Sequence, residues 1–187
     1  MIPAWNMEGI VPPIWPGEDG TSENRSPYRA SSTEFVDQFG ASIDRLSILE
    51  GLLDYRQALY TAGIVQGFQW LDGSFLEDVE AHQNRSPNDI DVVTYFELPV
   101  GETQATLAKN VRHLFDNDAM KAEFKVDSYY GILGQQMAER HVRSICYWYS
   151  MWSHSRAQTW KGFVRIDLDP NEDLNARLVL ASKRVAE

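Results

Sequence analysis

From Phe35 onward, apolar residues recur three or four positions apart: Phe35, Phe39, Ile43, Leu46, Leu49, Leu52 and Leu53. That spacing gathers them on one face of a helix. A serine or threonine cap near Ser32 opens it, Gly40 bends or interrupts it, and Gly63 closes it beyond about Leu59, glycine being free to take positive φ. The run 64–71 is short, apolar and aromatic and leads into Asp72-Gly73-Ser74, which predicts a strand ending in a tight turn. Residues 75–88 are polar and end in Pro87-Asn88, a short helix or a loop. The β-branched and aromatic content of 89–96 predicts a second strand. A helix is expected over 102–115, a third strand over 124–129, and a helix from Gln135 to about Trp152. A fourth strand follows over 163–168, and a last helix starts with Pro170 in its first turn and runs towards Val185. Interleaved strands and helices predict an α/β or α+β fold, a small mixed sheet flanked by helices.

Ahead of this body lies a segment, 1–31, holding Pro3, Pro12, Pro13, Pro16 and Pro27. Proline fixes φ and removes a backbone donor, so an extended arm is expected rather than a regular element. Trp5, Ile10, Val11, Ile14 and Trp15 are costly to leave in water, and the arm is therefore expected to pack on the body, residues 32–187, or on a partner.

With 43% hydrophobic and 24% charged residues among 187, the chain can bury one sizeable core, and nothing points to disorder. No apolar stretch reaches the roughly 20 residues that span a bilayer, and no secretory leader is evident, so the expectation is a cytoplasmic protein without a membrane partner. Cys146 is the sole cysteine, which excludes an internal disulfide and a cysteine metal site. Its neighbours Ile145, Tyr147 and Trp148 predict a buried, inert thiol. A net charge of −10 argues against broad binding to duplex nucleic acid, which needs a basic surface. A small anionic ligand remains open if metal ions supply the positive charge, and clustered acidic residues are what hold such ions.

The candidate chemistry starts from Asp89 and Asp91. Two positions apart on a strand, they project to the same face while Ile90 and Val92 enter the core. Carboxylates held side by side raise each other's pKa unless a cation lies between them, and magnesium prefers such hard oxygen ligands. Taken alone, Asn88-Asp89 before a strand is equally ordinary turn chemistry. Gly73-Ser74 after a strand lets backbone N–H groups approach a phosphate and adds a hydroxyl donor, though the same pair also makes a plain turn. Asp127, at the end of Phe124-Lys125-Val126-Asp127, is a third carboxylate or a helix cap.

The order Trp70-Leu71-Asp72-Gly73-Ser74, then Asn88-Asp89-Ile90-Asp91-Val92-Val93, then Lys125-Val126-Asp127 resembles the polymerase-beta-like nucleotidyltransferase superfamily, over roughly residues 32–168. Ile2-Pro3 with Glu8-Gly9, and Lys161-Gly162-Phe163-Val164, also resemble a small, poorly characterised prokaryotic branch of it. The resemblance implies that Gly73 and Ser74 hold a nucleoside triphosphate, that Asp89, Asp91 and Asp127 bind magnesium or manganese, and that Asp127 helps activate an attacking hydroxyl. The Ser74 to Asp89 gap is longer than the superfamily's usual spacing, with Glu77, Asp78, Glu80, His82 and Arg85 inside it. His154, Arg156 and Lys161 could reach phosphates or be ordinary surface charge; of these, Lys161 joins Gly73 and Ser74 as the nucleotide-binding set. Tyr147, Trp148, Tyr149, Trp152 and Trp160 suit core or a partner surface, and His113 and His141 are expected to be structural or exposed.

Two functions follow as expectations. One is a metal-dependent enzyme moving a nucleotidyl group to a hydroxyl on a protein, an RNA end or a small molecule. The other is a non-catalytic nucleotide-binding or assembly subunit, acting through a protein partner or as a homo-oligomer. By analogy with small members of the superfamily, either would suit a toxin-antitoxin or phage-defence component.

Overall fold

The computed structural model describes residues 1–186. Five strands form one mixed sheet: β1 (Tyr28–Ala30), β2 (Gly67–Asp72), β3 (Ile90–Phe96), β4 (Val126–Ile132) and β5 (Val164–Asp167), in the order β1-β5-β2-β3-β4. β1 is parallel to β5 and β3 to β4, whereas β2 runs antiparallel to both its neighbours. Seven helices flank it: α1 (Ser32–Phe39), α2 (Ile43–Thr61), α3 (Val79–Gln83), α4 (Gln104–Asn110), α5 (Asn117–Phe124), α6 (Glu139–Trp152) and α7 (Pro170–Ala186). The α+β class read from the sequence is the one observed.

Side chains alternate across the pleat, so each strand serves both faces. One face presents Gln69, Leu71, Val92, Thr94 and Phe96, all buried, to α2 and to the helices packed on it. Tyr55 of α2 donates to the Tyr130 hydroxyl at 2.9 Å, and Arg56 donates to Gln69 Oε1 at 2.7 Å. The same guanidinium grips Asp173 of α7 through Nε and Nη2, at 2.6 and 2.9 Å, and Tyr60 donates to that carboxylate at 2.6 Å. A fully buried cation is thereby neutralised and hydrogen-bonded in one place. The opposite face presents Phe68, Trp70 and Tyr95, with Trp70 and Tyr95 edge to face at 5.0 Å. Over it lies α6, whose Trp148 meets Tyr129 at 4.4 Å and whose Trp152 meets Phe163 at 5.9 Å. α6 also leaves Val142, Ile145, Tyr147 and Met151 exposed.

The long helix expected to be bent or interrupted near Gly40 is interrupted there: the capping box of Ser31 with Glu34 starts the first helix, Gly40 ends it, and Ser42 caps the second. The 102–115 helix likewise divides into α4 and a 3-10 turn at Arg112–Phe115. α5 was not evident from periodicity. Its eight residues bury only Met120, and Asp116 caps it by accepting from the Ala119 N–H at 3.1 Å. Phe124 therefore ends a helix rather than starting a strand, and β4 begins at Val126.

The proline-rich segment 1–31 packs on the body. It contributes β1, and Ile2, Val11, Tyr28 and Ala30 enter the same core as the body. Its backbone is tied down at Gly9, whose carbonyl accepts from the Asp78 N–H at 2.8 Å, and at Val11, whose carbonyl accepts from Gly162 at 2.7 Å. Trp5 donates its indole N–H to the Leu76 carbonyl at 2.7 Å and stacks beneath the Arg45 guanidinium, 5.0 Å from the ring centre. Among the described residues no helix is long and apolar enough to cross a membrane.

Candidate functional site

Register decides which carboxylates meet. Asp72, the last residue of β2, stands opposite Asp91 on β3, and Asp91 stands opposite Asp127 on β4. Paired residues on neighbouring strands share a face and lie about 5 Å apart, so the three form a row across the sheet end on the α6 side. Asp89, two residues before Asp91, joins the row from outside β3. Asp89, Asp91 and Asp127 thus lie at one end of the sheet and line one cleft, and Asp72 extends the group.

A lysine stands at each end. Lys161 Nζ lies 3.1 Å from Asp72 Oδ1 and 2.8 Å from Glu77 Oε1, and donates to the Gly73 carbonyl at 3.2 Å. At the other end Lys121 Nζ lies 2.6 Å from Asp89 Oδ2 and 3.4 Å from Asp127 Oδ2. Asn117, one turn before Lys121 on α5, donates to Asp127 Oδ1 at 2.7 Å while its own oxygen accepts from the Ser128 N–H at 2.8 Å. Asp91 has no ion pair or hydrogen-bond donor of its own among the described residues.

The titration behaviour follows from that distribution. Burial, then Asp127 and Asp89, push the Asp91 carboxyl up to about 6. Burial pushes Asp72 up to about 7 even against the opposing pull of Lys161. Asp72 Oδ1 is buried and, although close to Lys161, accepts no well-directed hydrogen bond. Burial disfavours the charge on Lys161, yet Asp72 and Glu77 hold its pKa above the usual lysine range. Lys121 is raised chiefly by its hydrogen bond to Asp89.

Gly73 makes the turn at the end of β2 with φ +85° and ψ −170°, a region that only glycine occupies comfortably. A Cβ there would meet Asp91 Oδ2 at 1.9 Å, so the turn backbone lies directly against that carboxylate. Ser74 opens a short 3-10 turn, Ser74–Leu76. These groups line one cleft of about 1040 Å³ together with Arg85, Trp152, His154, Arg156 and Thr159. Lys161 lines the cleft, but its side chain is 3% exposed and its ammonium is already engaged with three oxygens. Cys146 corrects the sequence reading: it is exposed, because it falls on the outer side of α6.

Asp72, Glu77, Lys121 and Asn117 are the participants that the sequence reading left out. For Asp72 a signal existed, since it follows Trp70 on the same face of β2 and abuts Gly73. For Lys121 and Asn117 the signal was the Asp116 cap, which marks the start of α5.

The donor set suits a hard divalent cation: carboxylate oxygens, with one carboxylate in the middle of the row that no cation contacts directly among the described residues. No three His, Cys, Asp or Glu side chains among the described residues are already closed around one point; Asp89 and Asp127 turn to Lys121 instead.

Fold and site together define an α+β protein whose sheet ends in a carboxylate row beside a glycine turn. The chain belongs to the family of unknown function DUF6932, whose model matches residues 3–167. No curated protein and no solved structure matches it.

Proposed function

We propose that this cleft binds a nucleoside triphosphate with magnesium or manganese and transfers its nucleotidyl group to a hydroxyl acceptor, the acceptor oxygen bonding to the α-phosphorus as pyrophosphate leaves, as the resemblance to polymerase-beta-like nucleotidyltransferases implies. The observation that carries the reading is Asp91, a largely buried carboxylate between two others with no cation of its own. Asp89, Asp91 and Asp127 would hold the metal, which supplies charge neutralisation at the phosphates and at the attacking oxygen. The backbone around Gly73 and the Ser74 hydroxyl offer donors to the triphosphate. Asp127, oriented by Asn117, is the carboxylate best supported to accept the acceptor's proton. Lys161 acts through the turn, holding Gly73 and Asp72 in place, rather than by touching phosphate.

Each labelled nucleoside triphosphate, incubated with the protein, magnesium or manganese and a cell extract, tests this directly. Label is expected to move onto a protein, RNA or small molecule with the wild type and to stay put with Asp89→Asn/Asp91→Asn. Absence of both transfer and calorimetric nucleotide binding would sink the reading.

A second reading, a nucleotide-binding subunit that works through a partner or a second copy, is favoured by the exposed Val142, Ile145, Tyr147 and Met151 on α6. A stable complex that survives Asp89→Asn/Asp91→Asn, together with no transfer by the wild type, supports it over the enzyme.

A further inference from the structure

The two lysines of the site are not equivalent. Lys161 is enclosed: it is 3% exposed, is bound by Asp72, Glu77 and the Gly73 carbonyl, and cannot leave without stranding buried oxygens. Lys121 is 48% exposed, lines the open cleft, and pairs its ammonium with Asp89 and Asp127. An ammonium on a flexible four-carbon stem can swing into water, and its departure is costly only in leaving Asp89 and Asp127, 19% and 18% exposed, without a counter-charge that an incoming cation would supply. Its two partners are the carboxylates that flank Asp91. Asp127 would not lose its orientation if Lys121 left, because Asn117 grips Oδ1 while Lys121 contacts Oδ2.

We infer that Lys121 is an exchangeable counter-ion for Asp89 and Asp127, released when a divalent cation enters beside Asp91, so that this residue sets how tightly the cleft holds metal. The inference rests on the metal-dependent reading above. Lys121 is on this view a positioning residue: it keeps two repelling carboxylates together in the metal-free protein and competes with the ion for them. Asn117 and Lys121, four residues apart on one face of α5, divide the work between permanent and temporary grips on Asp127.

Manganese titration of the full chain, with free ion followed by electron paramagnetic resonance, reads this without any turnover. Lys121→Met is expected to bind manganese about tenfold more tightly than wild type, towards the low end of what removing a neighbouring unit charge is worth. Lys121→Arg is expected to return towards the wild-type affinity. Lys125→Met makes the same change in net charge, but Lys125 reaches Ser47 rather than the site, and it is expected to match the wild type. On the unmodified protein, manganese is expected to speed acylation of Lys121 relative to Lys125, read by mass spectrometry. Equal affinity of Lys121→Met and wild type, or acylation that manganese leaves unchanged or slows, overturns the inference while leaving the metal reading intact. No manganese binding by wild type or Lys121→Met overturns both.

Discussion

Asp72 and Asp91 face each other in register across the antiparallel β2 and β3 pair, and both carboxyls are pushed up, to about 7 and about 6. Burial is the first cause in each case; repulsion from Asp127 and Asp89 adds to it at Asp91, and repulsion from Asp91 adds to it at Asp72. The proximity is created by sheet pairing alone: 19 positions of chain, including α3, separate two groups that the hydrogen-bond ladder sets side by side.

A carboxyl whose pKa is raised by folding binds more protons in the folded than in the unfolded state between its ordinary pKa near 4 and its raised one. Stability should therefore fall as pH rises from about 4 to about 7, by up to about 1.4 kcal/mol per pH unit for each group that titrates. Urea unfolding of the metal-free protein across that range measures it. The slope should weaken in Asp91→Asn, and a flat profile in the wild type would contradict the burial of these two groups.

Gly73→Ala places a methyl group where Asp91 Oδ2 now lies and forces alanine into φ +85°. The expected cost is about 1–3 kcal/mol of stability, with manganese affinity falling at the same time as Asp91 is displaced. Thermal melting and metal titration on the same sample separate the two effects. An unchanged metal affinity would show that the turn does not shape the site.

The Arg56 and Asp173 pair ties α2, β2 and α7 together. Asp173→Ala leaves a guanidinium buried without its carboxylate, and a loss of about 3–5 kcal/mol is expected in chemical denaturation. Arg56→Met with Asp173→Leu, which removes both charges, should recover much of that loss. A single mutant that melts like the wild type would mean that water reaches this pair.

Cys146 should react fully with a thiol reagent under native conditions, at a rate that denaturant does not raise greatly, because it is exposed on α6. Protection comparable to that of a core thiol would show that another surface covers this side of the helix.

The sequence carried the strands and longer helices well wherever one pattern dominated. β3 and α7 were legible because β-branched and aromatic content marks the first and a proline start marks the second. Gly40 and Gly63 announced the ends of α1 and α2. What escaped was short or nonlocal. β1 has three residues, sits among prolines, and exists only because β5 pairs with it. α5 has one buried side chain, too little for periodicity to register. At the site, Asp89, Asp91 and Asp127 could be read from strand spacing and from resemblance, but Asp72 needed the register of β2 with β3. Lys161 was legible as basic, not as enclosed, since its burial comes from Asp72 and Glu77, far away in the chain. Cys146 misled because aromatic neighbours in sequence alternate sides on a helix that only half packs.

The pairing of Tyr28–Ala30 with Val164–Ile166 also sets a schedule for biosynthesis. The first of these five strands to leave the ribosome has no edge to join until the fifth has been made. Until then Ile2, Val11 and Tyr28 have nowhere dry to go, and the nascent chain must be kept from sticking to others.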